Sequence, residues 1–268
     1  MRRLANAIRA RFVPAHPAAG APIHRAAGVL IAAAALAAPA GAQQAGPDAM
    51  LDTLRAPFRQ MHLIGPAEQA EWNALGRLDV GGIDTDRTCT GALVAPATVL
   101  TASHCARGTT DEVPDDSRRL HFVAGWNRGG FAARSVARRF DRHPGAAPRM
   151  DLAHVGKDLA LVQLADPVPA VAPLPIGAPP HLGEELAYAG YRNELRHAPA
   201  FFAPCPVVEQ GPDYIVVGCE PKGGNSGSPV LRRTQTGWEI VAVMVARAPG
   251  YGIAAVPGDW LAGAMAAD

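Results

Sequence analysis

The sequence predicts an all-β protein, and three observations carry that expectation. Short apolar or alternating runs recur along most of the chain, clusters of Gly, Pro and Asp separate them, and a single segment near the end reads as a helix. Many short strands at such spacing build a barrel or a sandwich. A length of 268 residues accommodates one large all-β domain or two small ones, and a hydrophobic fraction of 49% suffices for a buried core.

Residues 1–42 contain Arg2, Arg3, Arg9, Arg11 and Arg25 and no acidic residue. An apolar run over 26–38 follows, ending in Ala40-Gly41-Ala42. Such a run is too short for a bilayer that needs about twenty residues, so the segment reads as a signal peptide cut before Gln43. Without those five arginines, 20 basic residues face 24 acidic ones, a net charge of about −4. Residues 43–71, rich in Ala, Pro and Gln with a helix-like stretch near 50–55, read as a leader or propeptide.

From Trp72 onward the strand runs are 74–80, 88–94, 98–100, 120–124, 131–139, 158–164, 185–191, 214–219, 229–232, 239–246 and 251–256. The tail, 258–267, is the helix: Asp259 can cap it, and Trp260, Leu261 and Met265 share a face. Prolines punctuate 166–183, a natural connector between a half that carries His104 and Asp158 and a half that carries Ser226.

Charge names no partner. The formal net charge is +1, with no like-charge block that would serve as a nucleic-acid arm or a polybasic anchor, and no further apolar run of membrane length occurs. Arg118, Arg119, Arg134, Arg138, Arg139 and Arg142 interleave with Asp111, Asp115, Asp116 and Asp141 and read as a solvated face. Cys89, Cys105, Cys205 and Cys219 make an even set, which export turns into disulfides. Three pairings are possible; the local ones, Cys89–Cys105 and Cys205–Cys219, close short loops and would each stabilise by about 3 kcal/mol. A zinc site is not indicated, because no Cys-x-x-Cys occurs and His62, His121, His143, His154, His181 and His197 lack ligand spacing.

Three motifs carry chemistry. Cys89-Thr90-Gly91-Ala92-Leu93-Val94, then Val99-Leu100-Thr101-Ala102-Ser103-His104-Cys105, leads two strands into a histidine beside a cysteine. Lys157-Asp158-Leu159-Ala160-Leu161-Val162-Gln163-Leu164 puts an acid at the mouth of an apolar strand. Gly223-Gly224-Asn225-Ser226-Gly227-Ser228-Pro229-Val230 presents a serine between glycines. A serine hydroxyl becomes a nucleophile when an imidazole takes its proton, and the imidazole needs a carboxylate to fix its tautomer. Asp151-Leu152-Ala153 repeats the start of the acid pattern, but only Asp158 opens an uninterrupted apolar strand.

In these motifs and their His, Asp, Ser order the chain resembles the trypsin-like, chymotrypsin-fold serine peptidases over about 72–261. The Gly-Asn-Ser-Gly-Ser-Pro stretch is similar to bacterial members. The resemblance implies a peptidase domain at 72–268: two six-stranded antiparallel barrels, about 72–168 and 169–257, with the helix 258–267 behind them. It implies a triad of His104, Asp158 and Ser226 across the cleft, an oxyanion hole from the N–H groups of Gly224 and Ser226, an acyl-enzyme intermediate and no cofactor. The implied partners are protein or peptide substrates, met in the periplasm or outside the cell. The alternative is a catalytically silent homologue that keeps the barrels as a binding surface.

Departures from the family pattern carry information as well. Vertebrate-type trypsins place an Asp before the nucleophile to pair with the ammonium freed by zymogen cleavage; here Asn225 cannot form that ion pair. Protein starting at Gln43 is therefore expected to be active, with trimming toward Arg77 or Val80 changing activity by less than about tenfold. Glutamyl endopeptidases of the staphylococcal type carry a His on the strand after the nucleophile, which Val243-Met244-Val245 lacks. The specificity pocket is expected to involve Glu220, six residues before Ser226, together with Met244 and Arg247.

Overall fold

Strand pairing closes the chain into two antiparallel barrels joined by a proline-bearing connector, in a computed structural model that describes residues 61–80, 88–106, 120–147 and 151–266. The expected signal peptide, its cleavage point before Gln43, the 50–55 stretch, Arg118, Arg119, Asp111, Asp115 and Asp116 lie outside the described residues.

The first barrel consists of β2 (Leu75–Val80), β3 (Cys89–Ala95), β4 (Thr98–Ala102), β5 (Leu120–Ala124), β6 (Ala133–Arg142) and β7 (Leu159–Leu164), in the ring order β2-β3-β4-β7-β6-β5. The second consists of β8 (Glu185–Gly190), β9 (Ala200–Gln210), β10 (Tyr214–Val217), β11 (Pro229–Arg233), β12 (Trp238–Ala248) and β13 (Tyr251–Ala255), closed where β8 pairs with β9. A short strand, β1 (Met61–Leu63), adds to β9 in the register Met61↔Phe202, His62↔Phe201 and Leu63↔Ala200. The helix α1 (Gly258–Ala266) follows β13 and buries Leu261, with Trp260 and Met265 packed beside it.

Strand periodicity explains three cores from two barrels. Leu78, Leu93, Val99, Phe122 and Val162 fill the first barrel, and Tyr188, Phe202, Ile215, Val230 and Ala254 fill the second. Successive side chains alternate faces, so Leu100 and Leu161, neighbours of Val99 and Val162, point outward and meet Leu231, Val243 and Ile253 between the barrels. β7 is thus buried along its whole length, which is why it reads as an unbroken apolar run rather than an alternating one. The connector follows both barrels: Leu174 N–H donates to Leu93 O at 2.9 Å, and Ile176 bridges Ile240.

Two strands escape the sequence pattern. β9 holds Pro204 and Pro206, and a proline lowers the expectation of a strand because it donates nothing to the ladder. Here the ladder to β8 shifts register between Leu186 and Tyr188, opposite Ala203 and Pro204, so the prolyl nitrogen falls in an irregularity. β1 has three residues and no alternation to detect. β6 begins at Ala133 and runs to Arg142, later than the expected 131–139.

Residues 61–71, which the sequence assigns to a leader, pack on this fold. Ile64 is fully buried, its N–H donates to Pro199 O at 3.0 Å, and the buried Trp72 indole lies 5.4 Å from Phe201 and 5.9 Å from Trp238. Trimming toward Arg77 or Val80 would cut into the first barrel. Those residues lie in β2, which pairs with both β3 and β5 to close the first barrel, and Arg77 is buried in a 2.9 Å ion pair with Asp79.

Candidate active site

β4 delivers His104. The strand ends at Ala102, and a 3-10 turn over Ser103–Ala106 raises the imidazole at the barrel rim, where the Cys89–Cys105 disulfide ties the turn to the start of β3. Asp158 immediately precedes β7, and the pairing Ala102↔Leu159 sets the acid beside the histidine. Ser103 N–H donates to Asp158 O at 3.0 Å, and His104 N–H to Asp158 Oδ1 at 2.9 Å. The ring Nδ1 then meets Asp158 Oδ2 at 2.5 Å. Both carboxylate oxygens are occupied and the side chain is 3% exposed, against 23% for His104. With Nδ1 donating to the carboxylate, Nε2 is the nitrogen with a free lone pair. Asp151, the rival acid, engages His154 Nδ1 at 2.5 Å and Ala153 N–H at 3.1 Å.

The second barrel delivers Ser226 on the turn before β11. Its carbonyl accepts Thr90 N–H from β3 at 2.8 Å, and Gly227 N–H donates to Met244 O at 2.7 Å, so the turn is stitched to both barrels. Gly227 has φ +80°, and a Cβ there would collide with Thr90 O and Thr101 Oγ1. Gly224 has φ +96°, and a Cβ would come within 2.8 Å of Asn193 N and 2.9 Å of Tyr191 O. Only glycine fits either position. Among the described residues, the N–H groups of Gly224 and Ser226 donate to no protein acceptor.

Asn225, fully buried, organises this turn. Its Oδ1 accepts Lys222 N–H at 3.0 Å and its Nδ2 donates to Tyr191 O at 2.9 Å. A neutral amide supplies one donor and one acceptor at these two places, where a carboxylate would supply acceptors alone. The Cys205–Cys219 disulfide links β9 to the segment entering the turn.

The three expected pocket residues occupy distinct places. Glu220 Oε2 accepts Gly250 N–H at 3.0 Å, while Oε1 lies 3.3 Å from Lys222 Nζ and 3.5 Å from Arg247. Burial pushes this carboxyl up, but the Gly250 N–H, Lys222 and Arg247 outweigh it and hold the acid below its ordinary range. Arg247 is mostly exposed, a rim residue. Met244 is buried, and its sulfur sits 2.9 Å from where a Cβ on Gly252 would stand, which is equally 2.9 Å from Cys219 O. Gly252 is thus flanked by the Met244 thioether, part of the second barrel's core, and by Cys219 O. Cys89, Cys105 and His104 lie close together, but sulfurs joined in a disulfide provide no thiolate for a metal.

Sequence reasoning passed over Thr90, Tyr191 and Asn193 as site residues. Thr90 lies within the first motif, and only its contacts across 134 residues to Gly224 reveal its place.

The model of the trypsin-like peptidase domain matches residues 89–243. Proteins named Serine protease 56 from Homo sapiens and Mus musculus are 35% and 34% identical over 131 residues, covering 47% of this chain and 20% of each of theirs. The chain thus spans about a fifth of the length of the curated relatives it matches. A solved structure of a Glu endopeptidase in complex with MPD superposes with a TM-score of 0.62 at 19% identity, covering 78% of this chain and 96% of that one, a likeness of fold. The two barrels, the residues gathered between them and a family match over residues 89–243 of 268 place this chain in the family of trypsin-like peptidase domains.

Proposed function

We propose that this chain is an exported serine endopeptidase that cleaves peptide bonds through an acyl-enzyme, with His104, Asp158 and Ser226 as its catalytic residues. The observation that carries the reading is the contact of Asp158 Oδ2 with His104 Nδ1, made by a buried carboxylate whose other oxygen holds the His104 backbone. Nε2 is thereby the base. It takes the proton of Ser226 Oγ as that oxygen attacks the substrate carbonyl, then returns it to the leaving amine; water repeats the sequence to release the acid. Asp158 stays ionised and stabilises the imidazolium. The N–H groups of Gly224 and Ser226 receive the developing oxyanion, where one such donor lowers the barrier by about 3 kcal/mol. No cofactor is required by these steps.

Two disulfides fit a protein that matures in an oxidising compartment, in keeping with a signal peptide cut before Gln43 and a periplasmic or extracellular setting. For specificity, the Met244 thioether and Cys219 O both lie against Gly252, in the segments expected to wall the pocket, which supports a preference for a short side chain before the scissile bond. Acidic side chains are disfavoured by Glu220 and by the lack of a histidine in Val243-Met244-Val245. A fluorophosphonate probe tests the proposal: purified protein should be labelled once per chain, at Ser226, and Ser226→Ala should not be labelled. Absence of labelling in folded wild-type protein would leave the reading of a silent binding homologue.

A further inference from the structure

The Gly223–Gly224 segment poses a problem that glycine creates. Two consecutive glycines let the peptide plane between them turn over at little steric cost, so local backbone preference does not decide which way the Gly224 N–H points. Hydrogen bonds must decide it. Asn193 N–H, at the start of the turn Asn193–Leu195, donates to Gly223 O at 2.8 Å. Thr90 Oγ1, fully buried on β3, donates to Gly224 O at 3.0 Å and accepts Tyr191 N–H at 2.9 Å. Thr101 Oγ1 holds Thr90 O at 2.8 Å from the neighbouring strand. The carbonyls on both sides of Gly224 are thus pinned, one by each barrel. In a planar trans peptide the C=O and N–H point in opposite directions, so fixing Gly223 O on Asn193 turns the Gly224 N–H away from the 191–193 segment.

We infer that Asn193, which holds the Gly223–Gly224 peptide plane, and Thr90, which holds the following plane through Gly224 O, are positioning residues that together keep Gly224 N–H facing the reacting carbonyl. The inference rests on the peptidase reading above and adds to it two groups that touch neither substrate nor the reacting atoms. Their influence falls on the transition state, where the oxyanion forms, more than on the bound substrate.

The test compares Thr90→Val, which keeps the shape and loses the hydroxyl, with Thr90→Ser, which keeps it. A second pair is Asn193→Pro, which loses the backbone N–H, and Asn193→Ala, which keeps it. Proline is tolerated at a first helical position, and Arg192 before it is already extended. Full-length protein is assayed on the peptide it cleaves fastest from an unbiased library. Thr90→Val and Asn193→Pro should each lose about ten- to a hundredfold in kcat with KM within about twofold, and fluorophosphonate labelling should slow in parallel. Thr90→Ser and Asn193→Ala should stay within about threefold of wild type. If Thr90→Val fails to fold, the Asn193 pair decides. Wild-type kcat in folded Thr90→Val, Thr90→Ser as slow as Thr90→Val, or equal rates in Asn193→Pro and Asn193→Ala would overturn the inference. A wild-type protein that neither cleaves nor labels would instead sink the peptidase reading itself.

Discussion

Asn225 Nδ2 donates to Tyr191 O at 2.9 Å inside the protein, joining the turn that carries Ser226 to the end of β8 through a neutral amide. The trypsin-type solution at this position is a carboxylate that waits for an ammonium. Here the amide has its donor and acceptor places filled at Tyr191 and Lys222. Asn225→Asp is expected to be harmful: it would set an anion against the Tyr191 carbonyl in a fully buried site. Burial would raise the pKa of the introduced acid, and its protonated form could donate to Tyr191 O again. Activity relative to wild type should therefore rise as pH falls from about 8 toward about 5, read as the ratio of kcat/KM values across that range. A flat ratio would mean that the Tyr191 bond does not order the turn.

Removal of the proposed catalytic groups should act non-additively. Ser226→Ala and His104→Ala are each expected to abolish nearly all turnover with an unchanged circular dichroism spectrum, and the double variant should be no worse. Asp158→Asn should lose about four orders of magnitude, because an amide in its place favours the wrong tautomer of His104. Asp151→Asn removes a contact to His154 instead and should stay within about threefold of wild type. Kinetics that ranked the two acids the other way would reverse their assignment.

Pocket depth should depend on Met244. Met244→Ala would empty the space against Gly252, and the library profile should shift from short toward longer apolar side chains before the scissile bond. The same truncation removes a buried side chain and should cost about 2–5 kcal/mol in stability, measured by denaturant midpoint. An unchanged cleavage profile would place the pocket elsewhere.

How much of this was legible in advance follows from the physics of each element. β7 and the glycine turn were readable because one is apolar on both faces and the other requires φ values that only glycine takes easily. The partnership of His104 with Asp158 was readable from motif order, and the register Ala102↔Leu159 gives its geometric cause. β9 was hidden by its prolines, and β1 by having three residues. Thr90 was hidden for a different reason: its bonds to Gly224 and Tyr191 cross more than a hundred residues, and no local pattern encodes them.

The same long-range pairing decides where the folded domain can begin. β1 adds three residues to β9, and Ile64 contributes a fully buried side chain between the barrels, about 1.5–3 kcal/mol of apolar burial. Arg128 and Asn127 side chains both donate to Ile64 O at 3.2 Å, so the first barrel holds this stretch too. Protein starting at Met61 should match protein starting at Gln43 to within about tenfold in turnover, as expected if Asn225 makes a freed N-terminus unnecessary. Starting at Trp72 should keep the barrels but lower the thermal midpoint by several degrees, since a loss of 1 kcal/mol shifts a domain of this size by about 2–4 °C. Starting at Val80 removes all but the last residue of β2 from a closed ring, and that form should not fold. Active-site titration and thermal denaturation of the four forms check the series. An inert Gln43 form that trimming to Met61 switches on would make the preceding segment an inhibitory propeptide.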